Sequence, residues 1–188
     1  MKFFVKNLIG RHLNGKLILF LFVVTNIIYA TMMLVTIPKV MQFSDGMQLL
    51  DMLPTGYDHA YVRALFDTLG DQGRNAYLYR QIPVDMIYPG LFGISYCLLM
   101  AYFLNKLGKL ESNYFYLCLI PIFSGIFDYG ENIGIITMLN SYPDISMIAA
   151  KVTNIFSILK STSTSIYFMS LIVCLMAIGK RRLRTADR

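Results

Sequence analysis

Four ionisable side chains interrupt long apolar stretches of this sequence. They are Asp85, Asp128, Glu131 and Lys160. A carboxylic acid in such surroundings can serve as a general acid or base, carry a proton or bind a cation, and a nearby ammonium group alters which of these it does. We therefore treat the three acids as the candidate catalytic groups and Lys160 as their candidate partner.

Helical spacing places two of these acids on one face together with other polar residues. Ser124, Asp128, Glu131 and Asn132 follow the i, i+4, i+7, i+8 pattern, which brings side chains to the same side of a helix. Asp128 and Glu131 are one turn apart and carry like charge, so they do not both ionise easily. We expect one of them to hold a proton near neutral pH, which makes it the candidate general acid or proton carrier.

Depth along the helices brings the four charges into one layer. At a rise of about 1.5 Å per residue, each of the four charged residues lies about 24–30 Å from the far end of its own apolar helix. All four therefore lie near the same face of a ~30 Å hydrocarbon core. We expect Glu131 and Lys160 to face each other there. The predicted pocket opens outward and is lined by Arg74, Tyr77, Arg80, Asp85, Tyr88, Tyr96, Ser124, Asp128, Glu131, Asn132, Lys160, Thr164 and Tyr167.

Two less specific interpretations of this layer stay open. Lys160 and Asp85 lie near the ends of their apolar stretches, where a charged side chain can extend to lipid head groups. Glu131 and Lys160 can equally form a static salt bridge that only fixes how two helices pair. The sequence alone does not choose between these interpretations and a working site.

The elements that position these residues follow from composition. The chain has 188 residues, of which 56% are hydrophobic and 15% charged, whereas soluble domains carry about 25% charged residues. Four apolar stretches, at about 17–37, 84–104, 114–138 and 158–179, each reach the roughly 20 residues of a spanning helix. The sequence therefore predicts an all-α, antiparallel four-helix membrane bundle forming one domain, 1–188, and disfavours a soluble enzyme, a disordered chain and a disulfide scaffold.

The distribution of charge predicts the orientation of the bundle. Residues 1–16 carry four basic residues and no acid, and residues 180–188 carry five basic residues against one acid. The segment 38–83 instead carries five aspartates against four basic residues. Basic residues concentrate on the cytoplasmic side, so both termini are expected in the cytoplasm, with the protein in the plasma membrane of a bacterium, its inner membrane. The net charge of +6 reflects this asymmetry, and no nucleic-acid partner is expected.

The segment 38–83 is the largest piece predicted to lie outside the membrane. Tyr57–Leu69 has helical spacing, and Gly70 is placed to end that helix. Gly73 is expected to break the chain again, before a second short helix over Arg74–Gln81 runs into Pro83. We expect these helices to cover the outer mouth of the bundle; an interfacial helix that merely shields the bundle is the alternative.

Residues that could hold a metal or cofactor are scattered. Cys97, Cys118 and Cys174 fall on three different helices without a CxxC motif, which disfavours a thiol relay. His12 and His59 lie on opposite sides of the predicted membrane. The sequence therefore predicts neither a metal site nor a cofactor.

Three short stretches carry a family resemblance. Leu69–Tyr77, Asp85–Pro89 and Phe127–Asn132 resemble segments of small four-helix bacterial integral membrane proteins of unassigned function. The likeness covers most of the chain from the outer segment onward. It implies no activity or substrate, but it places Arg74 and Tyr77 in one group with the polar residues of the second and third helices.

Three classes of function fit these observations. The first is binding or processing of a lipid or lipophilic small molecule in the outward-facing pocket. The second is a component of a proton- or cation-coupled transporter, in which Asp128 and Glu131 bind the ion. The third is a structural or accessory subunit of a membrane complex. Membrane lipids are the expected partners; a homo-oligomer, a partner membrane protein and enzymatic activity are left open.

Overall fold

Every regular element in the described part of the chain is a helix. The computed structural model describes residue 9 and residues 12–186, and no strand occurs among them. The all-α prediction is confirmed at this level. Residues 1–8, 10, 11, 187 and 188, which include basic residues used above for orientation, lie outside the described residues.

The first long helix contains a widened turn. Helix α1, Gly15–Thr31, leads into a π-helical turn, Met32–Thr36, and then into α2, Ile37–Met41. Pro38 has no N–H to continue the helical pattern, and a π turn absorbs such a local mismatch. The helix therefore extends to Met41, so the outer segment begins later than the predicted boundary at residue 38.

The outer segment forms a bent helix. Helix α3, His59–Ala76, begins with Asp58, whose carboxylate accepts from the Tyr61 N–H at 2.8 Å. It bends at Gly70, where φ is +56°, a value that suits glycine because it has no Cβ. The prediction that Gly73 breaks the chain is wrong: that residue is helical and buried.

The second π turn repeats the arrangement of the first. It spans Tyr77–Gln81 and is followed by α4, Ile82–Asp85, which has Pro83 in its first turn. The predicted short helix over Arg74–Gln81 is therefore divided between α3 and this turn. The Thr36 hydroxyl of the first π turn donates a hydrogen bond to the Gln81 side chain of the second, so the two widened turns are joined.

Three further long helices complete the bundle. They are α5, Tyr88–Lys106; α6, Ile120–Ser141, preceded by a 3₁₀ helix over Asn113–Leu119; and α7, Met147–Ala186. Pro89 and Pro121 lie in the first turns of α5 and α6, where a proline is tolerated. The helices α5 and α6 thus start a few residues after the predicted apolar stretches begin, at about 84 and 114, and α7 starts at Met147, before the apolar stretch predicted from about 158.

Neighbouring helices pack in chain order. Helix α1 packs on α5, α5 on α6, and α6 most extensively on α7. Gly125 permits a close approach of the α5 and α6 backbones: a Cβ at this position would lie 2.6 Å from the Pro89 carbonyl oxygen. A side chain there would push α5 and α6 apart.

The apolar interior is divided into two clusters with polar residues between them. The outer cluster joins the outer segment to the end of α6 and the start of α7, and includes Ile135 and Ala150. The inner cluster joins α1, α5 and the second half of α7, and includes Phe92 and Tyr167. Buried polar residues of α6 and α7, residues 124–132 and 153–157, fall between these clusters along the chain.

Three helical stretches are long and apolar enough to cross a membrane: Gly15–Met41, His59–Lys106 and Met147–Leu183. Among the described residues, α6 does not join this group, since Asp128, Glu131 and Asn132 make it less apolar. Those polar side chains are buried within the bundle. The third of the four predicted spans, which corresponds to α6, thus differs from the others because it carries these buried polar side chains.

Candidate functional site

Lys160 and two acids form an ion-pair cluster between α6 and α7. The Lys160 ammonium contacts Glu131 Oε2 directly and lies 3.4 Å from Asp128 Oδ1. The Glu131 side chain is fully buried, and that of Lys160 is 17% exposed. The structure thus places Glu131 and Lys160 face to face, and Lys160 turns toward the acids instead of extending to the helix rim.

A cavity of about 420 Å³ adjoins this ion-pair cluster. We call it the interhelical cavity, because α1, α5, α6 and α7 all contribute to its wall. Its polar side includes Lys160 and Asp128, followed by Ser124 and Thr164, whose hydroxyls share a hydrogen bond of 2.6 Å. Asp85 completes the polar side from the end of α4. Three of the four predicted charges therefore line one space.

A second part of the lining of the interhelical cavity is apolar and aromatic. Tyr29 and Met33 come from α1 and its π turn, and Tyr88 and Phe92 come from α5. The rings of Tyr29 and Tyr88 have centroids 5.6 Å apart, as do those of Tyr88 and Phe92. The lining of the cavity therefore combines carboxylates with a row of aromatic rings.

Asp51 lines the interhelical cavity from the outer segment. It belongs to a 3₁₀ turn, Leu50–Met52, of that segment. The Tyr77 hydroxyl donates to its Oδ1 at 2.8 Å, and the Gln81 amide donates to its Oδ2 at 3.2 Å. The second π turn therefore holds this part of the outer segment beside the cavity.

Tyr57 adds a second attachment of the outer segment to α7. Its backbone N–H donates to the Asn154 side chain at 2.8 Å. Its hydroxyl is buried and has no hydrogen-bond partner in the described part of the chain. Burial, and then the nearby Glu131 carboxylate, raise the pKa of this phenol, so it stays neutral at pH 7.

Asp85 differs from the other acids in its lack of partners. It is 3% exposed and lines the interhelical cavity. Within residues 9 and 12–186, no hydrogen bond or ion pair to its carboxylate is found, whereas Asp51 accepts two hydrogen bonds and Asp128 meets Lys160. An unpartnered carboxyl group in a buried position is costly, so Asp85 marks the part of the site that the protein leaves incomplete.

Six predicted pocket residues line the interhelical cavity: Asp85, Tyr88, Ser124, Asp128, Lys160 and Thr164. Two others lie behind this wall. Glu131 reaches the cavity only through Lys160, and the buried amide of Asn132 has no hydrogen-bond partner among the described residues.

Two predicted pocket tyrosines pack below the cavity. The Tyr167 hydroxyl donates to the Tyr96 carbonyl at 2.8 Å, and the Tyr96 hydroxyl donates to Asn26 at 3.3 Å. Both rings belong to the inner apolar cluster. Phe92, which lines the cavity, packs against the rings of both Tyr96 and Tyr167. The two tyrosines therefore lie behind Phe92 and do not reach the cavity.

The remaining three predicted pocket residues do not line the cavity. Tyr77 acts through its hydrogen bond to Asp51. Arg74 instead supports the bend at Gly70: its guanidinium donates to the Phe66 carbonyl at 2.6 Å and pairs with Asp71. Arg80 is exposed. Both arginines were predicted to line the pocket, Arg74 on the strength of the resemblance, and neither lines the interhelical cavity.

Sequence reasoning missed Asp51 and the α1 wall of the interhelical cavity. Asp51 carried a signal, since it interrupts the apolar run Leu49–Leu53. Tyr29 of α1, Met33 of the first π turn and Ile37 of α2 are spaced i, i+4, i+8. Such apolar residues look like any membrane-facing stripe, so their sequence pattern does not distinguish a cavity wall.

The side chains described above form no ready site for a metal ion. No group of three His, Cys, Asp or Glu side chains is placed to hold a metal ion in the part of the chain that the structure describes. The cysteines at 97, 118 and 174 are free and buried. What the site offers is therefore a set of carboxylates, one ammonium, hydroxyls and aromatic rings.

Comparison with known proteins supplies no function for the chain, so the geometry of the site is the basis for proposing one. No protein-family model, curated protein or solved structure matches the chain. Function is therefore argued from the chemistry of the site and from the surfaces around it.

Removal of the ammonium tests whether the ion-pair cluster is buried as described. Lys160→Met should destabilise the protein by about 3–5 kcal/mol, because it leaves buried carboxylates without a counter-charge. The double change Glu131→Gln with Lys160→Met should recover much of that loss. Thermal unfolding in detergent can be followed by the reaction of the three buried cysteines with a fluorogenic maleimide.

Lys151→Met is the matched control, since Lys151 is exposed on the same helix. It should leave the unfolding temperature nearly unchanged. An unchanged unfolding temperature for Lys160→Met itself would contradict the assignment of Lys160 to the buried cluster.

Proposed function

We propose that the chain is a single-domain integral membrane protein of the bacterial inner membrane that binds a lipid or lipophilic small molecule. In this proposal α1, the α3–α5 region, α6 and α7 form a four-span antiparallel bundle with both termini in the cytoplasm. The bound molecule occupies the interhelical cavity and enters it from the membrane. The observation that carries the proposal is the position of the cavity's opening.

We place the opening of the interhelical cavity at the side of the bundle, between α1 and α7, because lining residues on both sides are exposed. These are Tyr29 and Met33 on one side and Ser165 on the other. Pro54 of the outer segment also lines the cavity and is exposed, but the opening between the helices is the one that carries the proposal. If α1 and α7 cross a membrane, this opening faces lipid, so an apolar molecule could enter without passing through water.

The exterior of the bundle supports a membrane environment. In the most apolar parts of the first and last candidate spans only 17% of residues are buried, against 56% in the middle one. Exposed side chains such as Phe20, Leu34 and Met169 make these surfaces apolar. Soluble proteins rarely expose such large apolar surfaces, whereas a bilayer solvates them.

The size and lining of the interhelical cavity also support binding of a small amphiphile. Its volume of about 420 Å³ lies within the range of roughly 300–1,000 Å³ that is typical of small-molecule sites. Apolar side chains of α1 suit a hydrocarbon chain, and the polar groups of α6 and α7 suit a head group. The rival interpretation, a charged layer that only fixes helix pairing, does not require an open cavity beside it.

The topology can be tested with reporter fusions. Alkaline phosphatase needs disulfides that form outside the cytoplasm, so a fusion after Asp51 should be active and one after Lys180 inactive. The reverse pattern of activities would contradict the proposed orientation.

Ligand binding can be tested by filling the cavity. Ser161 lines the interhelical cavity, and Thr162, the next residue on α7, is exposed and does not line it. We expect native mass spectrometry of the wild-type protein, extracted in mild detergent, to show a stoichiometric bound lipid or lipophile. Ser161→Phe should abolish it because the ring occupies the cavity, and Thr162→Phe should retain it.

Two results would contradict the proposal. One is a wild-type protein without any retained small molecule. The other is equal retention by both phenylalanine variants, which would place the bound molecule elsewhere. A protein that instead co-purifies in fixed ratio with a membrane partner would favour the accessory-subunit hypothesis.

A further inference from the structure

We infer that the molecule held in the interhelical cavity is a cationic amphiphile, with an amine-type head group bound by Asp85 and a hydrocarbon chain directed toward the opening between α1 and α7. This inference rests on the proposed function and specifies its ligand class. Three features of the site carry it: the unpartnered carboxyl group, the balance of charge and the aromatic wall.

Asp85 provides the binding group. Its side chain is 3% exposed, lines the cavity and has no hydrogen-bond or ion-pair partner in residues 9 and 12–186. Buried polar groups in folded proteins are nearly always satisfied by protein, water or ligand. A charged nitrogen donor in the cavity would provide the partner that the surrounding helices do not.

The balance of charge around the cavity selects the sign of the ligand. Asp51, Asp85 and Asp128 line it, and Glu131 lies directly behind. Among the described residues Lys160 is the one ammonium on the cavity wall, and Glu131 and Asp128 already share it. An anionic head group would therefore meet acidic side chains without a free cation, whereas a cationic head group would favour the ionised form of the carboxyl group beside it.

The aromatic wall suits the same head group. Tyr29, Tyr88 and Phe92 form a row of rings with neighbouring centroids 5.6 Å apart along the cavity. Aromatic faces attract ammonium groups through the ring quadrupole, most strongly where water is excluded. Because Tyr88 lies one helical turn after Asp85, a nitrogen near the carboxylate can also contact its ring.

A metal ion fits the site less well than an organic cation. Divalent metals need several ligands in fixed geometry, and no three-residue ligand group occurs among the described residues. Asp51 is already engaged by Tyr77 and Gln81. One free carboxylate together with aromatic rings is the arrangement that binds ammonium groups.

Three probes with the same chain length and different charge test the inference. They are decylammonium (decylamine, protonated at pH 7), decanol and decanoate, each titrated at pH 7 into the purified protein in a nonionic amphipol. We expect the cation to bind at least about tenfold more tightly than decanol or decanoate, a difference of about 1.4 kcal/mol. This comparison uses the wild-type protein and does not depend on the folding of a variant.

Variants then assign the preference to Asp85. Asp85→Asn should lose the preference for the cation while its affinity for decanol stays within about twofold, because only the charge is removed. Asp144→Asn, which changes an exposed acid in the link between α6 and α7, should behave as wild type. Ser161→Phe should weaken binding of all three probes.

The outcomes separate the inference from the proposed function. If all three probes bind equally well and Ser161→Phe abolishes their binding, the cavity binds amphiphiles but the cationic head group is wrong. Retention of the full cation preference by Asp85→Asn also overturns the inference. If no probe binds, or if Ser161→Phe changes nothing, the proposed function fails and the inference fails with it.

Discussion

The contact between Lys160 and Glu131 determines how α6 and α7 meet, and the interhelical cavity depends on it. Moving an ion from water into an apolar interior costs several kcal/mol unless a partner compensates it. Lys160 and Glu131 lie between the two apolar clusters, and the Glu131 side chain is fully buried, so Glu131 cannot reach solvent without separating helices. Their pairing therefore holds α6 and α7 in one register, in which Ser124 meets Thr164. The residues of α6 and α7 that line the cavity lie beside this contact and depend on the same register.

The same constraint explains why the site is incomplete. One ammonium cannot neutralise the four carboxylates at 51, 85, 128 and 131, and the structure resolves only part of the imbalance. Tyr77 and Gln81 donate hydrogen bonds to Asp51, and Lys160 forms ion pairs with Asp128 and Glu131. Asp85 is left facing the cavity. In a protein whose interior is otherwise apolar, such a group identifies where a ligand would contribute most.

Local spacing predicted the parts of this arrangement that depend on one helix at a time. Asp128 and Glu131 share a face because side chains three and four residues apart do so in any α-helix, and depth counting placed Lys160 at the same level. The return of the outer segment to the bundle was not predictable in this way. It depends on hydrogen bonds between residues far apart in the chain, such as Tyr77 to Asp51, and on the bend at Gly70, around which Arg74 pairs with Asp71 and the Phe66 carbonyl. The starts of α5 and α6 follow from a local feature, the prolines in their first turns.

The most direct test of this account is a high-resolution structure of the protein purified within a disc of its native membrane. We expect elongated density between α1 and α7, with its polar end within about 2.7–3.2 Å of the Asp85 carboxylate, the distance of a charge-assisted hydrogen bond. A structure in which Asp85 pairs with a protein group and side chains close the space between α1 and α7 would contradict the account.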